Sequence, residues 1–344
     1  MDKAQLALLI LALIAVAGAH GRRVKGGRKV GATAIRLTAV TPPVIHGEGP
    51  HYDDESAALY YVDIMGNYVN RFDTTTNVTT KVQLPTNVTL VVPVKNTNNQ
   101  FVVGIGRNLS LLTWDGQDGT YSSLETIVSV ESDKPDNRFN DGKADSTGRL
   151  LAGTMGKELG VGHVDPYQGT LYKLDAGSSN AVSVVSPVSI SNGIAWTDDE
   201  RTMYYIDSGA SNVVSFNYNL TDGTFMGANK TVFQLNSTGT GELPDGMTID
   251  NKGNLWIAVF KGGRVINVDP RSGAILQELN MPALLVTSVA WGGPDLSDLY
   301  VTTSRMGLTQ EQLQQTPLAG CVIRVTGLGV SGKKANRVAS PHLQ

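Results

Sequence analysis

At 344 residues, 41% of them hydrophobic, the chain is long enough to bury its own core, and a formal net charge of −3 excludes the basic footprint of a nucleic-acid binder. Its single cysteine, Cys321, excludes an intrachain disulfide, so stability has to come from packing.

From the N-terminus, Met1-Asp2-Lys3 leads into an apolar run from Leu6 to Ala17 that ends Ala17-Gly18-Ala19. A short apolar core ahead of a small-x-small site is the pattern of a secretory signal peptide, so residues 1–19 read as a signal and the mature protein as extracellular. The run is too short for a transmembrane helix, and no later segment reaches the roughly 18 apolar residues that would suggest one. The basic stretch Arg22-Arg23-Val24-Lys25-Gly26-Gly27-Arg28-Lys29 makes residues 20–35 a flexible, solvated tail. Six Asn-x-Ser/Thr sequons, at Asn77, Asn87, Asn108, Asn219, Asn229 and Asn236, are candidate glycosylation sites consistent with export.

From residue 36 onward helical periodicity is nearly absent. Six apolar runs recur instead: Leu59–Asp63, Phe101–Ile105, Leu150–Thr154, Met203–Asp207, Leu255–Val259 and Leu299–Thr303. Most are followed by a second strand-like run, such as Val69–Asp73, Thr170–Asp175 or Val265–Asp269. Their starts are spaced by about 40 to 55 residues, the repeat of a four-stranded propeller blade. Six repeats predict an all-β, six-bladed β-propeller over residues 36–335 as one domain, with residues 336–344 as a C-terminal tail. Radial closure also deals with the exposed strand edges of an all-β chain this long.

Between these runs sit four polar islands: His46-Gly47-Glu48-Gly49-Pro50, Arg138-Phe139-Asn140-Asp141-Gly142-Lys143, Ser191-Asn192-Gly193 and Pro244-Asp245-Gly246. Glu48, Asn192 and Asp245 are hard oxygen donors, each followed by glycine, which leaves the backbone free to turn and clears space beside the functional group. Blade-equivalent positions converge on a propeller's central channel. If Glu48 and Asp245 meet there, two buried carboxylates repel unless a cation or a shared proton sits between them. With all-oxygen donors the simplest cation is a hard divalent metal ion. His46 and His51 flank Glu48 and read as packing or hydrogen-bonding neighbours. No Gly-x-Ser-x-Gly elbow, His-Glu-x-x-His motif or Cys/His cluster points to another hydrolase mechanism. The segment Gly327–Lys334 matches the spacing of phosphate-binding loops but lacks the strand–helix context they need, and reads as a glycine-rich turn.

Taken in order, these islands with Ala152-Gly153-Thr154-Met155, Tyr205-Ile206-Asp207-Ser208, Pro244-Asp245-Gly246-Met247 and Val325–Val330 resemble the senescence marker protein/regucalcin, gluconolactonase and luciferin-regenerating enzyme family. Leu112–Gly116 and Thr287–Pro294 look closer to its insect luciferin-regenerating branch. The resemblance implies one divalent metal in the central cavity, calcium first and zinc, manganese or magnesium as alternatives. Glu48, Asn192 and Asp245 match the family's metal ligands, with Asp245 also at its catalytic acid/base position. Arg138 and Asn140 match substrate-contacting positions, and Glu158 falls where the family has a further substrate-side carboxylate. The implied activity is metal-dependent hydrolysis of a small lactone or ester by a monomer. The alternatives are a non-catalytic extracellular calcium-binding protein and a luciferin-regenerating-type hydrolase of another small cyclic substrate. Two departures bear on specificity: the export signal, and the Asn-rich stretch from Asn77 to Asn99, expected to reshape the cavity rim.

Overall fold

In the computed structural model, the six apolar runs are the second strands of six four-stranded antiparallel sheets, the blades of a six-bladed β-propeller. The model describes residues 34–236 and 239–341, so the expected signal peptide and most of the basic tail lie outside the described residues. Second strands such as Ala58–Asp63, Leu150–Met155 and Leu255–Phe260 are buried along their whole length. Each blade packs between two neighbours, so these strands are covered on both faces and read as continuous apolar runs without alternation.

The core is divided six ways. Each apolar cluster joins two adjacent blades: Phe101 and Trp114 pack with Tyr60 between the first and second, and Trp256 packs edge-on to Trp291 at 5.5 Å between the fifth and sixth. The remaining four interfaces have clusters of the same kind. Hydrophobic side chains are therefore used up between the blades, and the axis is left to the polar islands.

Two devices close the ring. The N-terminal strand Arg36–Ala39 pairs antiparallel with Ile323–Thr326 and supplies the outermost strand of the sixth blade. The segment from residue 331 to 339 then crosses one end of the axis and touches all six blades. It bonds Asn251 and pairs with Asp250 on the fifth blade, and bonds Leu296 on the sixth. Lys333 pairs with Asp198 on the fourth, Lys334 with Asp54 on the first, and Asn336 donates to the Ala144 carbonyl on the third. Arg337 forms a bidentate pair with Asp53, both bonds 2.8 Å, and Val338 lies buried beside Val94 on the second blade. The segment set aside as a tail from residue 336 is thus packed as far as residue 341. A buried guanidinium with a buried carboxylate partner cannot trail into solvent.

Part of the Asn-rich stretch differs from its expected place, while Asn87 stands at the open end, bonded to the Ile64 carbonyl. The turn around Thr97 and Asn98 lies at the strapped end, where the Thr97 carbonyl accepts from Arg337, and not at a cavity rim beside Glu48. Cys321 is buried among apolar neighbours of the last interface, and burial pushes its thiol up to about 11.

Candidate active site in the central channel

Each blade's first strand lines the axis, and each carries an irregularity at the same place. The antiparallel register shifts between Glu48 and His51, Val88 and Val91, Phe139 and Gly142, Ser191 and Ile194, Pro244 and Met247, and Val286 and Ser288. A bulge adds a residue on one side and re-aims the side chain there. The polar islands are these bulges, within strands rather than between them. Around the axis the equivalent residues are Glu48, Thr89, Asn140, Asn192, Asp245 and Thr287.

Glycine follows three of the six for local reasons. Gly49 has a φ of +55°, which disfavours any residue with a Cβ, and its N–H donates to Glu48 at 2.7 Å. A Cβ on Gly246 would stand 1.9 Å from Ser288 Oγ on the next blade. The neighbouring innermost strand comes that close.

The loops ahead of the bulges are pinned by a second repeat. Asp63 ends the Tyr60-Tyr61-Val62-Asp63 run and accepts from the Ile45, His46 and Gly66 amides. Asp207 ends Tyr204-Tyr205-Ile206-Asp207 and accepts from Ser189, Ile190 and Gly209 in the same way. Each carboxylate fixes its blade's entry to the innermost strand, and so the placement of Glu48 and Asn192.

Glu48, Arg138, Asn140, Glu158, Asn192 and Asp245 all line one cavity of about 60 Å³ at the unstrapped end of the channel, so the structure brings together every site residue expected from the sequence. Apolar residues Met155, Val164, Ile190, Leu243, Phe260 and Met306 complete its wall. Glu158 stands on a short hairpin, Glu158–Gly160 with His163–Val164, inserted between the second and third strands of the third blade.

Glu48 and Asp245 are buried. Burial first, then the charges of Asp245 and Asp141, raise Glu48 well above the usual carboxylate range; burial and then Asp141 do the same to Asp245. Arg138 opposes both shifts but is itself engaged: it donates to Asn140 Oδ1 at 2.7 Å and to the Phe139 carbonyl, and faces Glu158 at 3.7 Å. Asn140 donates its own amide to the Ser191 carbonyl at 2.9 Å, so its side chain braces the Arg138 fork between two blades.

Asn192 supplies the test of whether a cation fits. Its Nδ2 donates to Ser208 Oγ at 2.9 Å, and Ser208 passes the bond on to the Pro244 carbonyl at 2.6 Å. That chain fixes the amide and leaves Asn192 Oδ1 buried with no hydrogen-bond partner. An orphaned buried acceptor costs about 1–3 kcal/mol, and here it lines a cavity with two buried carboxylates. The donor set is all oxygen and carries two negative charges, which fits a hard divalent ion. Among the described residues no group of three or more His, Cys, Asp or Glu is placed to hold a metal. The fit therefore depends on the amide oxygen as third protein donor.

Three further participants are Ser208, His46 and Asp141, of which His46 alone reads from the sequence as a hydrogen-bonding neighbour. Ser208 orients Asn192; its signal was the repeat after Asp207. His46 lines the cavity with Nδ1 2.8 Å from Ser304 Oγ, and burial with Arg138 pushes it down to about 3, so the ring is neutral. Next to Asn140, which is the equivalent of Asp245, Asp141 is the second residue of the third blade's bulge. It points to the deeper channel, beside Lys143 and His51. His51, expected near Glu48, lines the opposite end.

Of the sequons, Asn77, Asn229 and Asn236 are exposed. Asn87, Asn108 and Asn219 are half-buried, and the Asn87 Nδ2 that would carry a glycan donates to the Ile64 carbonyl. Among the described residues no helix is long and apolar enough to cross a membrane.

Residues 46–305 match the family model of the SMP-30/gluconolactonase/LRE-like region. Regucalcin of Xenopus laevis is 37% identical over 286 residues, covering 83% of this chain and 92% of the relative. A solved luciferin-regenerating enzyme is 36% identical with a TM-score of 0.82, covering 88% of this chain and 99% of that one. A calcium-binding protein, regucalcin, from Agrobacterium tumefaciens has a TM-score of 0.77 at 24% identity, covering 88% and 96%, a likeness of fold alone. The chain belongs to the SMP-30/gluconolactonase/LRE-like family.

Proposed function

We propose that this family member is an extracellular hydrolase of small lactones or related cyclic esters that works with a divalent cation, calcium first. The carrying observation is the buried, partnerless Asn192 Oδ1 in one cavity with two carboxylates whose pKa values are raised by burial and by each other's neighbourhood. Glu48, Asn192 and Asp245 would hold the ion, which when bound supplies Lewis-acid polarisation of a carbonyl oxygen. Metal storage alone would have no use for the rest of the cavity. Arg138, held by Asn140, presents donors to the substrate's ring and carbonyl oxygens. Asp245 takes a proton from the attacking water and returns it to the leaving alkoxide. The water adds to the carbonyl carbon, the ring C–O bond breaks, and the product is an open hydroxy acid.

The apolar wall of Met155, Val164, Ile190, Leu243, Phe260 and Met306 favours substrates with an apolar flank. This supports a second reading, a cyclic substrate of the luciferin-regenerating kind, in keeping with the 36% identical structure. Export rests on the N-terminal pattern and on three exposed sequons.

The deciding experiment is hydrolysis of sugar and aliphatic lactones by purified protein, after chelation and after return of Ca²⁺, Zn²⁺, Mn²⁺ or Mg²⁺. Turnover restored by one ion and lost in Asp245→Asn is the expected result. Tight calcium binding without turnover on any lactone would overturn the hydrolase reading in favour of a binding module.

A further inference from the structure

A second cavity, of about 80 Å³, lies on the axis at the strapped end. Three of its lining residues carry a buried ring nitrogen without a partner: Trp196 Nε1, Trp291 Nε1 and His51 Nε2. The residues are 5%, 3% and 6% exposed, and an indole N–H can only donate. Leaving two such donors and an imidazole nitrogen unpaired is expensive, since each buried unsatisfied group costs about 1–3 kcal/mol.

The charges around this cavity are mostly positive. Lys143, Lys333 and Lys334 line it against one carboxylate, Glu200. Glu200 already accepts from the Ser146 amide and hydroxyl, at 3.2 and 2.7 Å. Lys333 lies beside Trp196, 3.4 Å from its carbonyl, and pairs with Asp198; Lys334 pairs with Asp54. Lys143 donates to the Met247 carbonyl at 2.8 Å and faces Asp141 deeper in the channel. His51 is held down to about 4 by burial, so it is neutral and can offer one N–H.

Unpaired donors and ammonium groups around a small, partly open cavity call for an acceptor-rich ligand. We propose that this cavity binds a small oxyanion, of phosphate or carboxylate chemistry, gripped by Trp196, Trp291, His51, Lys143 and Lys333 beneath the C-terminal strap. A cavity of about 80 Å³ suits a ligand of the size of phosphate or a short carboxylate. Because the strap forms one wall, an anion there ties the chain's C-terminal segment to the fourth and sixth blades, and bound protein is more resistant to unfolding.

Inorganic phosphate, and separately acetate, would be titrated into the chelated full-length protein at constant ionic strength, with chloride as control. Binding would be followed by calorimetry and by tryptophan fluorescence, since two of the four tryptophans line the cavity. The expected result is saturable binding of one of the two anions at one site, with a raised Tm. Lys333→Ala should weaken it at least tenfold, and Trp196→Phe should remove most of the fluorescence response. Asp245→Asn should bind the anion unchanged; loss of binding in that variant would assign the anion to the upper cavity and overturn the proposal. A response that fails to saturate, is reproduced by chloride, or survives intact in folded Lys333→Ala would overturn it as well.

Discussion

The two ends of the central channel are built from the same six strands and finished in opposite ways. At the open end the bulges gather Glu48, Asn192 and Asp245: among the described residues the two carboxylates form no close ion pair, and the Asn192 amide oxygen has no hydrogen-bond partner. At the other end the strap from residue 331 pairs Asp53 with Arg337, Asp54 with Lys334 and Asp198 with Lys333. Acidic groups occur at both ends; only at the open end are they left for a ligand. The difference separates function from stability within one channel. Unmet electrostatic demand at the open end costs folding energy and is kept for a ligand, whereas paired charges at the other end tie the strap to the first and fourth blades.

That contrast can be broken by variants that act at the wrong end. The largest effect is expected from Asp245→Asn: kcat/KM for a lactone should fall roughly 10²–10⁴-fold as the base is lost. Its Tm should hold or rise, because a buried like-charge neighbour of Glu48 and Asp141 has been removed. A large fall in Tm would mean that the open end also carries the fold.

Next comes Arg337→Met, which leaves Asp53 buried and unpaired and should cost about 3–5 kcal/mol in a urea unfolding curve. Lactone turnover by the folded fraction should be unchanged, and a specific loss of kcat would couple the two ends.

Ser208→Ala sharpens the picture on the functional side. It releases Asn192 from its orienting bond, and calcium affinity measured by calorimetry should drop by about tenfold. The smallest effect belongs to Glu158→Gln. Its side chain is 32% exposed and its pair with Arg138 spans 3.7 Å, so unfolding should shift by less than about 1 kcal/mol. KM for the lactone should move a few-fold with calcium affinity intact, which a titration of each would separate.

Much of the site was legible because ligand chemistry, glycine and repeat position coincide in the residues themselves. Glu48-Gly49, Asn192-Gly193 and Asp245-Gly246 stand out as hard donors beside glycines. Asp141-Gly142 carries the same signature, and nothing in the residues says that its carboxylate points to the deeper channel and not into the cavity with Asp245. Asn140, expected to contact substrate, lines the cavity, and its amide also bonds Arg138 and the Ser191 carbonyl of the next blade. The Ser191 partner lies 51 residues away, beyond any local pattern. His51 was misplaced for a simpler reason. It is three residues from Glu48, but a strand rises about 3.3 Å per residue, so those residues carry it toward the other end of the axis.

The sequence by itself determined the number of blades and the second strand of each, because a strand covered on both faces must be apolar throughout. It also determined which residues could serve as oxygen ligands, since only a few side chains have the chemistry. Tertiary structure alone decided that Arg36–Ala39 completes the last blade, that residues 331–339 strap one end, and that Asn192 Oδ1 is left unpaired. These depend on which distant strands become neighbours when the ring closes, and ring closure is settled by packing across the blades.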